Sequence, residues 1–175
     1  CAKKAISILA RGQSSPRAVL SAANENLLPD LDDMTFVSVF YGILDRNTRT
    51  LVHVRAGHNP TLLVNPAREP MTVELKPRGI VIGMQRGDMF ERLTEEHRIT
   101  LQPGDIVVQY TDGVLEAKNL EGVEYGKERF TQVVCDHLGE PMHAVFDRII
   151  EDLTRFRGAA PLEDDVTLVG FRVLA

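Results

Sequence analysis

The sequence has little cysteine, no long apolar run and no clustered basic stretch, and each lack closes a class of function. Two cysteines, Cys1 and Cys135, cannot build a disulfide framework and fit a reducing, cytoplasmic compartment. No run approaches the roughly 20 apolar residues that cross a bilayer, and no signal peptide is visible, so no membrane segment is expected. The 20 Lys and Arg are scattered among 25 Asp and Glu, for a net charge of −5. That excludes a nucleic-acid surface, which needs clustered cations. No histidine stands at zinc spacing from a cysteine. There is no Gly-x-Ser-x-Gly elbow and no phosphate-binding glycine loop with its lysine, so acyl transfer and nucleotide hydrolysis lack equipment. Internal repeats, low-complexity tracts and linkers are absent too. What remains is 175 residues, 43% apolar and 26% charged, the make-up of one domain with its own core.

Ala2 to Arg11 reads as a helix from its first residue, without an N-cap. Ser15 then caps and Pro16 starts a second helix, with Val19, Leu20, Ala23 and Leu27 on one face, ending before Pro29. Met34 to Leu44 is almost continuously apolar, which predicts a strand covered on both sides. Asp45 to Thr48 turns it into Thr50 to Ala56, a hairpin whose His53 is expected on an exposed face. Thr61 to Val64, Met71 to Leu75, Gly79 to Gly83, Glu91 to Leu101 and Asp105 to Thr111 continue the β pattern as an antiparallel meander. Gly126 to Leu138 is helical, and Pro141 opens a helix carrying Val145, Phe146, Ile149, Leu153 and Phe156 at helical spacing, stopped by Gly158. Thr167 to Val173 is a last strand. Helices, many strands, helices and one strand make an α+β domain.

Two stretches carry chemistry. Asp112 ends the strand Val107 to Thr111 and is followed at once by Gly113, so a carboxylate sits at a rigid strand end with backbone room beside it. Asp164 and Asp165 lead into the last strand. Hard divalent cations such as Mg²⁺ or Mn²⁺ take oxygen ligands, and two strand ends brought together supply them. Taken singly, each stretch also reads as an ordinary turn or a solvated acidic pair. Asp32 and Asp33 are read as solvated loop charges, and His58, between Gly57 and Asn59-Pro60, as a turn histidine bonding backbone rather than a proton donor.

The segments Tyr110-Thr111-Asp112-Gly113-Val114-Leu115-Glu116-Ala117, Glu124-Tyr125-Gly126 and Glu163-Asp164-Asp165-Val166-Thr167-Leu168-Val169 together resemble the PPM family of metal-dependent protein serine/threonine phosphatases. The nearer likeness is to the bacterial branch typified by the sporulation stage II protein E (SpoIIE-type) phosphatase and its stress-response relatives. Phe36 to Asp45, Ala56-Gly57-His58-Asn59-Pro60 and, less closely, Gly79 to Gly83 also match, in order along nearly the whole chain. The resemblance implies an α-β-β-α sandwich of two antiparallel sheets flanked by helices. It implies two Mn²⁺ or Mg²⁺ ions, with Asp112, Asp164 and Asp165 as metal residues, Asp164 ahead of Asp165, and Gly113 beside the cofactor. It implies hydrolysis of phosphoserine or phosphothreonine, the substrate being a phosphorylated anti-sigma-factor antagonist in sporulation or stress signalling, and it allows an upstream sensor domain in the same polypeptide. The family opens with a glycine-aspartate segment whose aspartate bridges the two ions, and nothing before Met34 matches it. The expectation is therefore a piece of a longer polypeptide, without the domain's first strands and weak or inactive alone. The alternative is a non-catalytic regulatory or interaction module that keeps the fold without a complete metal centre.

Overall fold

The computed structural model describes residues 2–32 and 34–174. In chain order its first half holds α1 (Ala2–Leu9), α2 (Pro16–Leu27), β1 (Val39–Asp45), β2 (Thr50–Ala56), β3 (Thr61–Val64), β4 (Thr72–Leu75) and α3 (Met89–Leu93). The second half holds β5 (His97–Thr100), β6 (Ile106–Tyr110), α4 (Asp112–Leu115), α5 (Lys127–Asp136), α6 (Met142–Arg157) and β7 (Leu168–Arg172). The strands form two antiparallel sheets, ordered β1-β2-β5 and β4-β3-β6-β7. The chain divides into two compact units, Cys1–His58 with Lys76–Gln102, and Asn59–Leu75 with Pro103–Ala175.

In the first unit, the Ser15 hydroxyl accepts from Ala18 N at 3.1 Å and Pro16 opens α2, the cap and start that the sequence predicts. The apolar face of α2, with Leu20, Ala23 and Leu27, packs on Val54 and Ala56 of β2 and on Ile82 and Phe90. Asn24, buried in that face, donates to Gln85 O at 2.8 Å and accepts from Gly83 N at 3.0 Å, so no polar atom of its amide is left unpaired.

Four expectations change in this unit. Regular pairing of the Met34 to Leu44 run begins only at Val39, and Met34 and Phe36 are 87% and 62% exposed. No residue of β1 is fully buried, so a continuous apolar run here does not mark a strand covered on both faces. Gly79 to Gly83 forms no strand; Ile82 alone bridges Val37, through N to O distances of 2.9 and 3.0 Å. Of Glu91 to Leu101, the start is the helix α3, which buries Phe90, and only His97–Thr100 is strand. His53 is also the reverse of its expectation: it is 1% exposed, stacked on Phe40 and edge-on to His97. Burial first and His97 second lower its pKa to about 4. Asp32 lies exposed, its carboxylate accepting from Met34 N, whereas Asp33 and Cys1 fall outside the described residues.

In the second unit, inward residues of β3 and β6 (Leu62, Val64, Ile106, Val108, Tyr110) meet Phe130 and Val134 of α5 and Val145, Ile149 and Leu153 of α6. The helical spacing of that last set is what puts one face of α6 on the sheet. Gly158, at φ +60, ends the helix. Asp105, fully buried, accepts from Arg68 Nε at 2.7 Å, Arg68 Nη2 at 2.6 Å and Asn65 Nδ2 at 2.8 Å. The meander is not the topology. β5 returns to β2, and β6 inserts beside β3 rather than next to β5, because hydrophobic alternation fixes which face is buried and not which strand is the neighbour.

Candidate metal centre

Strands β6 and β7 pair antiparallel from Ile106↔Arg172 to Tyr110↔Leu168, so the chain leaving β6 and the chain entering β7 emerge together. Beyond the last pair, Thr111 N donates to Thr167 O at 3.1 Å. Asp112 follows as the first residue of α4, and Asp164 and Asp165 approach from the other side. The closest approach is at Gly113. A Cβ there would lie 2.5 Å from Asp165 O and 3.2 Å from Asp164 C. Gly113 is thus the seat on which the Asp165 carbonyl rests, a packing role that an Asp-Gly pair in a sequence does not announce.

Asp112, Asp164 and Asp165 are all exposed. Asp112 Oδ1 accepts from Gly113 N at 3.1 Å and Asp164 Oδ1 from Asp165 N at 2.7 Å. Each local bond occupies one oxygen of its carboxylate and leaves the other uncommitted among the described residues. Next to them, Lys118 Nζ meets Glu163 Oε2 at 2.9 Å and is held charged to higher pH chiefly by that bond. The tie fastens the segment after α4 to the approach to β7. Among the described residues no group of three or more His, Cys, Asp and Glu is arranged to hold a metal ion. The donor set still fits a hard cation, since Mg²⁺ is commonly held through one or two carboxylates with the remaining positions filled by water and substrate phosphate.

Thr111 is the side chain of this region that the sequence did not single out. Its hydroxyl accepts from Thr167 N at 2.9 Å and donates to Asp165 O at 2.8 Å. In the sequence it is only the end of the Asp105 to Thr111 run, and the pairing of β7 reveals this use. His58, in the first unit, contributes its carbonyl to Arg55 Nη1 at 2.8 Å. Cys135, a free thiol packed against the core of its unit, has its pKa raised by burial and then by Asp136, which disfavours the thiolate a cysteine nucleophile needs. No helix among the described residues is long and apolar enough to cross a membrane.

Two curated proteins are similar to the chain. Protein IcfG of Synechocystis sp. is 24% identical over 147 residues, 83% of this chain and 22% of that protein. The phosphoserine phosphatase RsbU of Bacillus subtilis is 22% identical over 157 residues, 90% of this chain and 45% of that protein. The chain thus spans less than half the length of either. Among solved structures, the SiaA-PP2C domain of Pseudomonas aeruginosa superposes with a TM-score of 0.80 at 25% identity, covering 98% of this chain and 67% of that one. More distant chains of the same fold, 14% identical, were solved with magnesium and with two manganese ions. The fold is therefore that of PP2C-type domains, α+β with two antiparallel sheets and flanking helices. Residues 2–174 match the family described as stage II sporulation protein E (SpoIIE), and the chain belongs to that family.

Proposed function

We propose that this domain is a metal-dependent protein phosphatase that hydrolyses phosphoserine and phosphothreonine, with Mn²⁺ or Mg²⁺ held by Asp112 and Asp164, with Asp165 and the Gly113 backbone beside them. The observation that carries the reading is the β6–β7 pairing, which delivers Asp112 and the Asp164–Asp165 peptide to one place with exposed, partly uncommitted carboxylates. Exposed carboxylates with an oxygen to spare are the donors a hard cation takes, alongside water. Bound divalent ions supply an acidified water and positive charge for the phosphoryl oxygens. The chain's own part is to hold the carboxylates just beyond the paired ends of β6 and β7, open to a protein-borne phosphate. Because these are exposed, a bulky phosphoprotein can reach them. The likeness to RsbU, a phosphoserine phosphatase by name, supports the reaction class. A phosphorylated anti-sigma-factor antagonist is the substrate class we infer from the family resemblance.

One observation favours the other reading, a regulatory module of the same fold: no third ligand joins the carboxylates among the described residues. The two are separated by assaying phosphoserine and phosphothreonine peptides with Mn²⁺. We expect Mn²⁺-dependent turnover that Asp112→Asn and Asp164→Asn abolish and that Asp165→Asn harms less, with metal-free melting unchanged in all three. Normal turnover by both Asp112→Asn and Asp164→Asn would remove the metal assignment. No turnover of either peptide would establish the regulatory module.

A further inference from the structure

The Thr111 hydroxyl is used in an unusual way for its position. Thr111 is the N-cap residue of α4, at φ −85 and ψ 160, yet makes no side-chain bond to that helix. A threonine there ordinarily accepts from the second or third N–H of the helix and stabilises it. Here the hydroxyl reaches across to the other chain instead. It accepts from Thr167 N at 2.9 Å and donates to Asp165 O at 2.8 Å, while Thr111 N donates to Thr167 O at 3.1 Å. The side chain thereby extends the β6–β7 ladder past its last register pair, Tyr110↔Leu168, and its second bond ends on the carbonyl of Asp165, next in the chain to Asp164. The same carbonyl is also stopped by Gly113, whose Cα leaves no space for a methyl group. A hydroxyl that pulls and a backbone that limits define one position for that carbonyl relative to Asp112.

We propose that Thr111 is a positioning residue for the metal site, and that its hydroxyl, by clipping the Asp165 carbonyl and the Thr167 amide, sets the spacing between Asp112 and Asp164 on which cation binding depends. This rests on the metal reading given under the proposed function. It adds to that reading a residue that is not a ligand and that touches neither cation nor substrate. Thr111→Ser keeps both bonds. Thr111→Val keeps the shape and β-branching, and leaves the Thr167 amide and the Asp165 carbonyl without their partner.

The test uses the 175-residue chain and Mn²⁺ alone as probe. Paramagnetic broadening of the Asp112, Gly113, Asp164 and Asp165 amide signals measures binding without any turnover, and hydrogen exchange at the Thr167 amide reports the clip itself. For Thr111→Val we expect faster exchange at Thr167 and about ten-fold or more Mn²⁺ for the same broadening, the usual loss when a group supporting metal ligands is removed. Thr111→Ser should exchange and bind as the parent does. Val108→Ala, which thins the core under the same strand without touching the clip, serves as the control for general loss of stability and should bind as the parent does. Equal Mn²⁺ titrations for parent and Thr111→Val would overturn the proposal, as would a matching loss in Val108→Ala or in Thr111→Ser. A Thr111→Val chain that does not fold would overturn it too, because the hydroxyl would then hold the fold rather than the ligands. If the parent shows no broadening at these residues, the metal reading itself fails, a result distinct from all of these.

Discussion

Gly113→Ala tests directly whether the Asp165 carbonyl is seated on α4. The added methyl would lie 2.5 Å from Asp165 O, where real Cβ atoms are essentially never closer than 3.0 Å. One of the two backbones must therefore give by at least 0.5 Å, the difference of those distances. Neither partner is the end of a flexible side chain, so the shift falls on paired main chain. Overpacking of this kind costs about 1–3 kcal/mol. Replacing glycine by alanine inside a helix returns about 1 kcal/mol, and the net loss comes to at most about 2 kcal/mol. In a domain of this length that lowers the melting temperature by up to roughly 8 °C. The same displacement moves Asp164 relative to Asp112, so Mn²⁺ binding should weaken by about ten-fold. Gly139→Ala is the matched control: a Cβ there meets nothing within 4 Å, and the change should be neutral or slightly stabilising. The assay is thermal melting of both variants with and without Mn²⁺. If Gly113→Ala melts with Gly139→Ala and titrates Mn²⁺ like the parent, the contact at Gly113 does not exist in solution and the geometry built on it is wrong.

Arg68→Met leaves the Asp105 carboxylate fully buried with only the Asn65 amide of its side-chain partners named above. Losing one member of a buried pair costs about 3–5 kcal/mol, to be read from urea unfolding, and a loss below about 1 kcal/mol would mean that the pair behaves as a surface one. Acid sensitivity should trace in part to His53. Its folded pKa, about 4, lies below the ordinary value of 6.5, so between those pH values the unfolded chain binds the extra proton. Stability is then complete above about pH 6.5 and declines as pH falls toward 4. His53→Phe, which can stack on Phe40 in the same place, should flatten that decline in melting curves recorded from pH 7 to 4, and an unchanged acid limb would place the titration elsewhere.

The elements with strong periodicity were legible: α2 from its serine cap and proline, α6 from its apolar spacing, β2 from its hairpin, β6 and β7 from their apolar runs. Two of the misread stretches fail for one reason. Met34 to Val37 and Gly79 to Gly83 have the composition of strands, but whether such a run becomes a strand depends on a neighbour to pair with, and the sequence does not name neighbours; Glu91 to Leu93 is made of helix formers and folds into α3. His53 was misplaced in the same way, since strand alternation separates two faces without saying that both are covered. At the candidate site, Asp112, Asp164 and Asp165 were identifiable as residue types at strand ends. Thr111 was not, because a hydroxyl's bonding partner across a sheet leaves no trace in local sequence.

The position of β7 at the end of its sheet also governs when the carboxylates meet. β3 and β4 are joined by the 7 residues between Val64 and Thr72, whereas 57 residues lie between Tyr110 and Leu168. Closing the longer connection costs about 2 kcal/mol more in chain entropy, which disfavours early pairing and leaves α5 and α6 to bring the ends together as they settle on β3 and β6. During synthesis, Asp112 leaves the ribosome long before its counterpart. A chain still being made carries Asp112 alone and gains Asp164 and Asp165 beside it only as β7 pairs with β6, so their juxtaposition reports completed folding of this unit and not a local property of either strand.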